Sequence, residues 1–434
     1  MRSVVWIIGI MVDSDPASEA YEVRDTTTST VKHSVRETHP LTVRLMAIVV
    51  VLVVSVGLFE GLARMVFAWQ EEIRRIPIIS EMLQRSLDLD PYEMPSPKGG
   101  YHWVLRPAYE ATSRQLVEEK SRARRTLGAQ MLKAELGAPG GDARKIFRIN
   151  RDGFKGPELD WSHSRPRILM LGDSTTFGIG VVDYPRAAAK ALAARGIAAE
   201  VINGGVEGYA PHDVLLEIDR YKALKPQIAA LYIGWNALFK QAPWPDAWEN
   251  RLRLVWLVMS AYRALQARLD PIADARGLTD RKPKPDPRSP RVKSLEAYDP
   301  PFMDEIERIV DGLAAAGTDV VLVTLPGLFT PSETPTARAL AIGHLPRFTD
   351  NPSVLAVLAG RYNAALRDLA RRRGLDIIDL EKWSIDALRP RDAYFLDSVH
   401  LTAQGLELIG AFMAERLAPR VEGLQKRESR TGNR

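Results

Sequence analysis

Residues 167–180 read RILMLGDSTTFGIG, an apolar run that gives way at once to small and polar residues. The run RILMLG (167–172) has the length and composition of a buried β-strand, so Ser174 is expected just beyond its carboxyl end. Ligands bind at this edge of open parallel sheets. A Gly-Asp-Ser tripeptide alone is equally typical of a serine that caps a turn. Its position after a strand therefore favours a functional role for Ser174.

Further along the chain, apolar runs alternate with amphipathic helical stretches. The other predicted strands are AEVIN (199–203), IAALYIG (228–234), DVVLVTL (319–325) and DIIDL (376–380). The predicted helices are 185–195, 211–224, 301–316, 354–373 and 403–417. Uninterrupted apolar strands separated by helices predict an α/β fold, with a parallel sheet covered on both faces.

Polar blocks follow the second and third of these strands. INGGVEGYA begins at Ile202 and places Asn203, Gly205 and Gly208 near the end of the second strand. Glycine lets a backbone N–H approach a ligand closely, as an oxyanion site requires. YIGWNAL places Asn236 after the third strand, where its side-chain amide can donate to the same oxyanion. Taken singly, the first block predicts only a tight turn and the second only a capping asparagine.

The segment DAYFLDSVHLTAQG supplies the remaining chemical groups. Asp397 and His400 are separated by two residues after the last predicted strand. A serine hydroxyl becomes nucleophilic when a base accepts its proton, and an imidazole base needs a carboxylate to fix its tautomer. Of the seven histidines, only His163 and His400 have an aspartate three residues upstream. His163 precedes the first strand and is expected at the opposite end of the sheet, so His400 is the better base.

The ordered blocks GDS, N-x-G-x-x-G, G-x-N and D-x-x-H resemble those of the SGNH hydrolases, also called the GDSL lipase and esterase family, from about Phe147 to Ala418. The resemblance implies a flavodoxin-like three-layer α/β/α sandwich with about five parallel strands. It implies that Ser174 is the nucleophile, His400 the base and Asp397 its partner. The implied oxyanion donors are the Ser174 and Gly205 amides and the Asn236 side chain. The supporting motif residues are Gly172, Asp173, Asn203, Gly208 and Gly234.

Other features refine this resemblance. The segment FRINRDGFKGPEL resembles the entry segment of membrane-tethered bacterial members of the family. Ala237 stands where the family commonly has aspartate, which puts the bracing of that loop in doubt. Gly-x-Ser-x-Gly, dinucleotide, phosphate-loop and His-Glu-x-x-His motifs are all missing from the sequence. We therefore predict no cofactor and no metal.

Composition excludes several other classes of protein. A net charge of +5 over 434 residues is too small to indicate a nucleic-acid-binding protein. The chain has no cysteine, which excludes thiol nucleophiles, thiolate metal sites and disulfide frameworks.

The N-terminal region contains a predicted transmembrane helix at 41–69. Its core, LMAIVVVLVVSVGLF (45–59), carries no charge, and Glu60 and Arg64 can pair one turn apart near the interface. The cations that precede the span favour a cytoplasmic N-terminus and a catalytic domain in the periplasm of a bacterial cell. An alternative is that the apolar stretch at 4–12 is a signal peptide, which would invert this topology.

The predicted organisation has five parts. They are a disordered tail (1–40), the transmembrane helix (41–69), a partly helical connector (70–145), a catalytic domain (146–420) and a disordered basic tail (421–434). An insertion at 240–300 interrupts the catalytic domain. Its tryptophans, Trp244, Trp248 and Trp256, are expected to pack a helix onto the domain, with ligand contact as the alternative.

Three functions are compatible with these residues. The favoured one is a serine ester hydrolase that forms an acyl-serine, with an acylated carbohydrate as one candidate substrate. The second is an O-acyltransferase that modifies a cell-envelope polysaccharide, because a sugar hydroxyl can replace water in the same mechanism. The third is a non-catalytic binding protein on the same fold, which does not explain why four polar blocks converge on one sheet edge.

Overall fold

The computed structural model describes residues 40–69, 89–99, 102–122, 142–240 and 283–431, together with isolated positions between these ranges. The predicted tail before residue 40 lies outside the described residues, and so do the alternative signal peptide, Trp248 and Trp256.

Helix α1 (Pro40–Ala68) matches the predicted transmembrane helix. Its most apolar part, Val43–Met65, has 23 residues and would extend about 34 Å, enough to cross a bilayer core of ~30 Å. The predicted pair forms, with Arg64 Nε 2.7 Å from Glu60 Oε1. By length and composition α1 fits a membrane anchor, and an N-terminal signal sequence would fit the same description.

A five-stranded parallel sheet forms the centre of the remaining chain. Its strands are β5 (Arg167–Gly172), β6 (Glu200–Gly205), β7 (Ile228–Tyr232), β8 (Asp319–Val323) and β9 (Asp376–Ile378). They lie in the order β6-β5-β7-β8-β9, which is the flavodoxin-like order. Every residue of β5 and of β7 is buried, which explains why these strands are apolar on both faces. The predicted fold class is confirmed.

Helices cover both faces of this sheet. They are α3 (Ser174–Phe177), α4 (Tyr184–Ala194), α5 (Pro211–Leu216), α6 (Ile218–Ala223), α7 (Trp235–Lys240), α8 (Pro290–Ser294), α9 (Met303–Ala314), α10 (Ala337–Ile342), α11 (Pro352–Arg373), α12 (Leu380–Ala387), α13 (Arg391–Tyr394) and α14 (Ala403–Thr431), with a 3₁₀ turn at Leu295–Ala297. Helices α4 and α14 pack together, as α9 packs on α5 and α6. Right-handed crossovers place these two groups on opposite faces.

Part of the predicted connector folds onto the sheet domain. Strands β1 (Glu93–Pro95) and β2 (Trp103–Leu105) form one antiparallel pair, and β3 (Glu110–Thr112) and β4 (Ile146–Arg148) form another. Helix α2 (Ser113–Arg122) follows β3. Tyr92, Leu105, Leu116 and Phe147 belong to the same buried cluster as the central strands. These apolar residues are widely spaced and have no regular period, so the sequence indicated a charged connector instead.

The C-terminal tail differs from its prediction. Residues 421–431 continue α14 as a helix, where a disordered basic tail was expected. Leu417 and Val421 are fully buried and Leu424 packs against the core, so the apolar face of α14 extends beyond residue 420. Because these residues are spaced at i, i+4 and i+7, they lie on one helix face, which continues into the segment that contains the basic residues.

Candidate active site

Ser174 lies at the predicted strand end. β5 ends at Gly172, and α3 begins at Ser174. The Asp173 carboxylate caps α3, because its Oδ1 accepts hydrogen bonds from Thr175 N at 2.9 Å and Thr175 Oγ1 at 2.8 Å. Burial raises the pKa of Asp173. The Ser174 N–H is at the first position of a helix, where no intrahelical acceptor exists, so it points outward as a donor.

Asp397 and His400 lie in one tight turn after α13. Asp397 Oδ1 accepts hydrogen bonds from the backbone N–H groups of Val399 and His400, both at 2.8 Å. Leu396 N donates to His400 O across the turn. The D-x-x-H spacing thus corresponds to a tight turn in which the aspartate carboxylate binds the backbone N–H of the histidine.

The three predicted side chains form one hydrogen-bonded chain. His400 Nδ1 lies 2.7 Å from Asp397 Oδ2, and His400 Nε2 lies 2.8 Å from Ser174 Oγ. Ser174 and His400 are separated by 226 positions in the sequence, so only the folded sheet brings them together. In this arrangement an imidazole can take the serine proton while the carboxylate stabilises the imidazolium that results.

The charges around His400 and Asp397 favour transfer of the serine proton to the imidazole. Burial lowers the pKa of His400, but the Asp397 carboxylate, together with the Asp173 and Glu207 charges, outweighs it, so the net pKa lies above the ordinary value for histidine. Burial likewise opposes the charge of Asp397, yet the two histidines beside it, His400 and His344, hold its pKa well below the usual range. Asp397 therefore remains a carboxylate at neutral pH.

Asn236 lies at the start of α7, beyond the end of β7. Its Nδ2 donates a hydrogen bond to Tyr209 O at 2.9 Å and so joins this loop to the one after β6. The neighbouring Gly234 has φ +144°, and a Cβ there would lie 2.6 Å from the Tyr362 ring. The Tyr362 hydroxyl also donates to Ile233 O at 2.6 Å. Tyr362 thus braces the turn that leads from β7 into α7, the helix that contains Ala237.

The end of β6 and the loop after it hold two glycines whose N–H groups differ in their hydrogen bonds. The Gly205 N–H donates to Asn203 Oδ1 at 3.0 Å, while Asn203 Nδ2 donates to Thr176 O at 3.1 Å. Asn203 therefore ties β6 to α3, and its side chain also accepts the Gly205 N–H. The next glycine, Gly208, has φ +79°, and among the described residues its N–H has no acceptor.

The structure adds a second histidine beside Asp397. His344 Nδ1 lies 3.5 Å from Asp397 Oδ2, and the His344 ring is 5.0 Å from the Phe239 ring. Burial lowers the pKa of His344. His344 is in the loop between α10 and α11, where no motif or spacing marks it in the sequence. His163, the other sequence candidate, is exposed and precedes β5, as expected.

One cluster within the described residues has the composition of a metal site. Ligand atoms of Asp90, Glu93 and Glu207 lie within 4.8 Å of one another. The ammonium group of Lys120 lies 3.4 Å from Asp90 Oδ2 and 3.2 Å from Glu207 Oε2. Because a lysine already supplies positive charge to two of these carboxylates, the cluster fits an internal ion-pair network better than a metal centre.

The sandwich and the polar blocks at its strand ends define the class of this protein, which is that of the ester hydrolases with an SGNH fold. The model of the GDSL-like lipase/acylhydrolase family matches residues 170–408, more than half of the chain. The chain therefore belongs to this family, which confirms the resemblance found in the sequence.

Solved structures of low sequence identity were also found. A lipase/acylhydrolase from Enterococcus faecalis is 17% identical, with a TM-score of 0.36 over 59% of this chain and 96% of that one. A catalytic mutant of an acetylxylan esterase from Geobacillus stearothermophilus is 15% identical, with a TM-score of 0.36 over 58% of this chain and 93% of that one. None of the curated protein sequences compared with this chain matches it significantly.

Proposed function

We propose that this protein hydrolyses carboxylic esters through an acyl intermediate on Ser174. The observation that carries the proposal is the chain from Ser174 Oγ through the His400 ring to Asp397 Oδ2, with contacts of 2.8 and 2.7 Å. Ser174 and Asn236 follow β5 and β7, which flank the point where the strand order reverses. Ligands of doubly wound sheets bind in the crevice at such a point.

In the first half of the proposed reaction, the Ser174 hydroxyl gives its proton to His400 Nε2 as the oxygen attacks the ester carbonyl carbon. The carbonyl oxygen becomes an oxyanion. We assign its stabilisation to the N–H groups of Ser174 and Gly208 and to the second Nδ2 hydrogen of Asn236. A well-aimed donor of this kind lowers the barrier by roughly 3 kcal/mol.

In the second half, His400 returns the proton to the departing alcohol, and the acyl group remains on Ser174. A water molecule then gives a proton to His400 Nε2 and attacks the acyl carbon. Collapse of this second oxyanion releases the acid, and the proton on His400 returns to Ser174 Oγ. Every proton taken by the imidazole is thus given back, and the enzyme ends in its starting state.

The surroundings of Trp244 favour hydrolysis over acyl transfer. Its indole Nε1 donates to Ser294 Oγ at 2.9 Å, and the Arg291 guanidinium lies 4.7 Å from its ring centre. The Phe348 ring meets it edge-on at 5.7 Å. Trp244 therefore has packing partners among the described residues and is a poor candidate for binding an acceptor sugar.

Product analysis tests this proposal. With 4-nitrophenyl acetate as donor, we expect the purified protein to release free acetate at a rate that added xylo-oligosaccharide leaves unchanged. Trp244→Ala should turn over this small ester at the same rate, because Trp244 packs outside the proposed reaction path. Acetyl groups that appear mainly on the oligosaccharide by mass spectrometry, and are lost in Trp244→Ala, would establish the transferase. Trp161→Ala, at an exposed tryptophan elsewhere, is the matched control.

We further propose that α1 anchors the protein in a bacterial inner membrane, with the catalytic domain in the periplasm. Lys32, Arg36 and Arg44, at or before the N-terminal end of the span, are opposed nearby only by Glu37. The three arginines at its other end are matched by acidic residues, and this difference favours a cytoplasmic N-terminus. Protease added to spheroplasts should then digest the domain beyond residue 70 and leave an N-terminal tag intact. Protection of the domain with loss of the tag would show the inverted topology.

A further inference from the structure

The loop that carries Gly208 is fixed from one side by the sheet domain. We call residues 206–209 the β6 loop. Val206 N donates to Gly172 O at 3.2 Å, and Asn236 Nδ2 donates to Tyr209 O at 2.9 Å. These two contacts lie at the ends of the loop and leave Glu207 and Gly208 to be held by other groups.

Trp103 of β2 covers the other side of the β6 loop. Its Nε1 donates to Glu207 O at 3.1 Å, and its own carbonyl accepts from the Tyr209 hydroxyl at 2.6 Å. The indole ring lies directly over Gly208, since a Cβ at Gly208 would be 2.9 Å from Trp103 Cζ2. One tryptophan therefore contacts three consecutive residues of the loop.

The Glu207 side chain adds a charged contact with the same N-terminal segment. Its Oε2 accepts hydrogen bonds from the Tyr92 hydroxyl and from Lys120 Nζ of α2, the latter at 3.2 Å. Lys120 is buried, and it also pairs with Asp90 at 3.4 Å. Removal of Lys120 would leave the Glu207 and Asp90 carboxylates without the cation that they share, so this lysine fixes Glu207 strongly.

From these contacts we infer that Trp103 and Lys120 are positioning residues for the Gly208 N–H, so that residues 89–99 and 102–122 belong to the catalytic unit. The inference rests on the proposed function, in which that N–H stabilises the oxyanion. The donor must be aimed at the oxyanion within a fraction of an ångström, and an error of about 1 Å can cost on the order of 100-fold in rate. A loop bonded to the sheet only at its ends needs such support.

Trp103→Phe in the full-length, detergent-solubilised protein tests the inference. The substitution keeps an aromatic ring over Gly208 but removes the hydrogen bond to Glu207 O. We expect kcat for an oxygen ester to fall about tenfold with KM unchanged, because the donor acts on the transition state. In the matching thionoester, sulfur replaces the carbonyl oxygen. Because sulfur is a weak hydrogen-bond acceptor, kcat for the thionoester should fall much less. A structural defect would slow both substrates equally.

Two further variants make the test decisive. Trp161→Phe is the matched control, since Trp161 is 52% exposed and donates to Asp152 outside the site, and it should keep full activity on both esters. If Trp103→Phe does not fold, Lys120→Met combined with Glu207→Gln removes the ion pair without a net change of charge and should give the same pattern. Unchanged kcat in a folded variant, or equal losses on both esters, would overturn the inference. Full activity of Ser174→Ala would instead overturn the proposed function, on which the inference rests.

Discussion

Replacement of Ser174 by alanine should abolish ester turnover, with kcat lowered on the order of 10⁵-fold or more. The variant keeps His400, Asp397 and the oxyanion donors but has no oxygen to form the acyl intermediate. Ser174 is only half-buried, and among the described residues its side chain makes one hydrogen bond, with His400 Nε2, so the loss should not affect folding. Steady-state hydrolysis of 4-nitrophenyl acetate, together with the thermal unfolding midpoint, measures both effects.

Ser164→Ala provides a matched control for this prediction, because Ser164 is exposed and precedes β5. It should keep the full rate. A fluorophosphonate probe should label the wild-type protein on the peptide that contains Ser174 and should fail to label Ser174→Ala. Full activity of Ser174→Ala, or a label on another serine, would show that the nucleophile lies elsewhere.

The strands and the three central side chains could be predicted because their signals are local. β5 was predicted at its observed bounds, since burial on both faces requires an uninterrupted apolar run. Ser174 was found because the polar block begins where that run ends. Asp397 and His400 were found because the turn that joins them requires a fixed spacing, which the Asp397 Oδ1 contacts explain.

The glycine that we propose as an oxyanion donor could not be chosen from the sequence in this way. The block INGGVEGYA offers Gly204, Gly205 and Gly208, all of which allow close approach of a backbone N–H. What separates Gly205 from Gly208 is whether the N–H already has an acceptor. That depends on the rotamer of Asn203, which bonds the Gly205 amide. A motif records residue types but not which hydrogen bonds are already made.

The role of residues 89–99 and 102–122 was missed for a different reason. Trp103 and Glu207 are 104 positions apart, and Tyr92 and Glu207 are 115 apart. Contacts at such separations leave no periodic pattern, and the many charges of this segment are typical of a solvated helix. Lys120 is an exception among these charges, because it is buried and pairs with carboxylates inside the protein.

Replacement of Asp397 by asparagine should lower kcat/KM on the order of 10⁴-fold without unfolding the turn. An asparagine Oδ1 can still accept from Val399 N and His400 N, so the backbone is kept. Its amide, however, can present a donor to His400 Nδ1. The imidazole then takes the tautomer with the proton on Nε2 and cannot accept the proton of Ser174. Asp219→Asn, at an exposed aspartate of α6, is the control and should be fully active.

The pH profile of the residual activity separates this explanation from simple loss of structure. In the wild-type protein the Asp397 charge holds the pKa of His400 above its ordinary value, and only the neutral ring can act as a base. The rate should therefore fall as pH drops through that raised pKa. Without the Asp397 carboxylate, burial is opposed only by the Asp173 and Glu207 charges, so the pKa of His400 should be lower than in the wild-type protein. The residual rate of Asp397→Asn should then persist to lower pH than the wild-type rate. A profile that keeps its midpoint while the rate falls would show that Asp397 does not act through the charge state of His400.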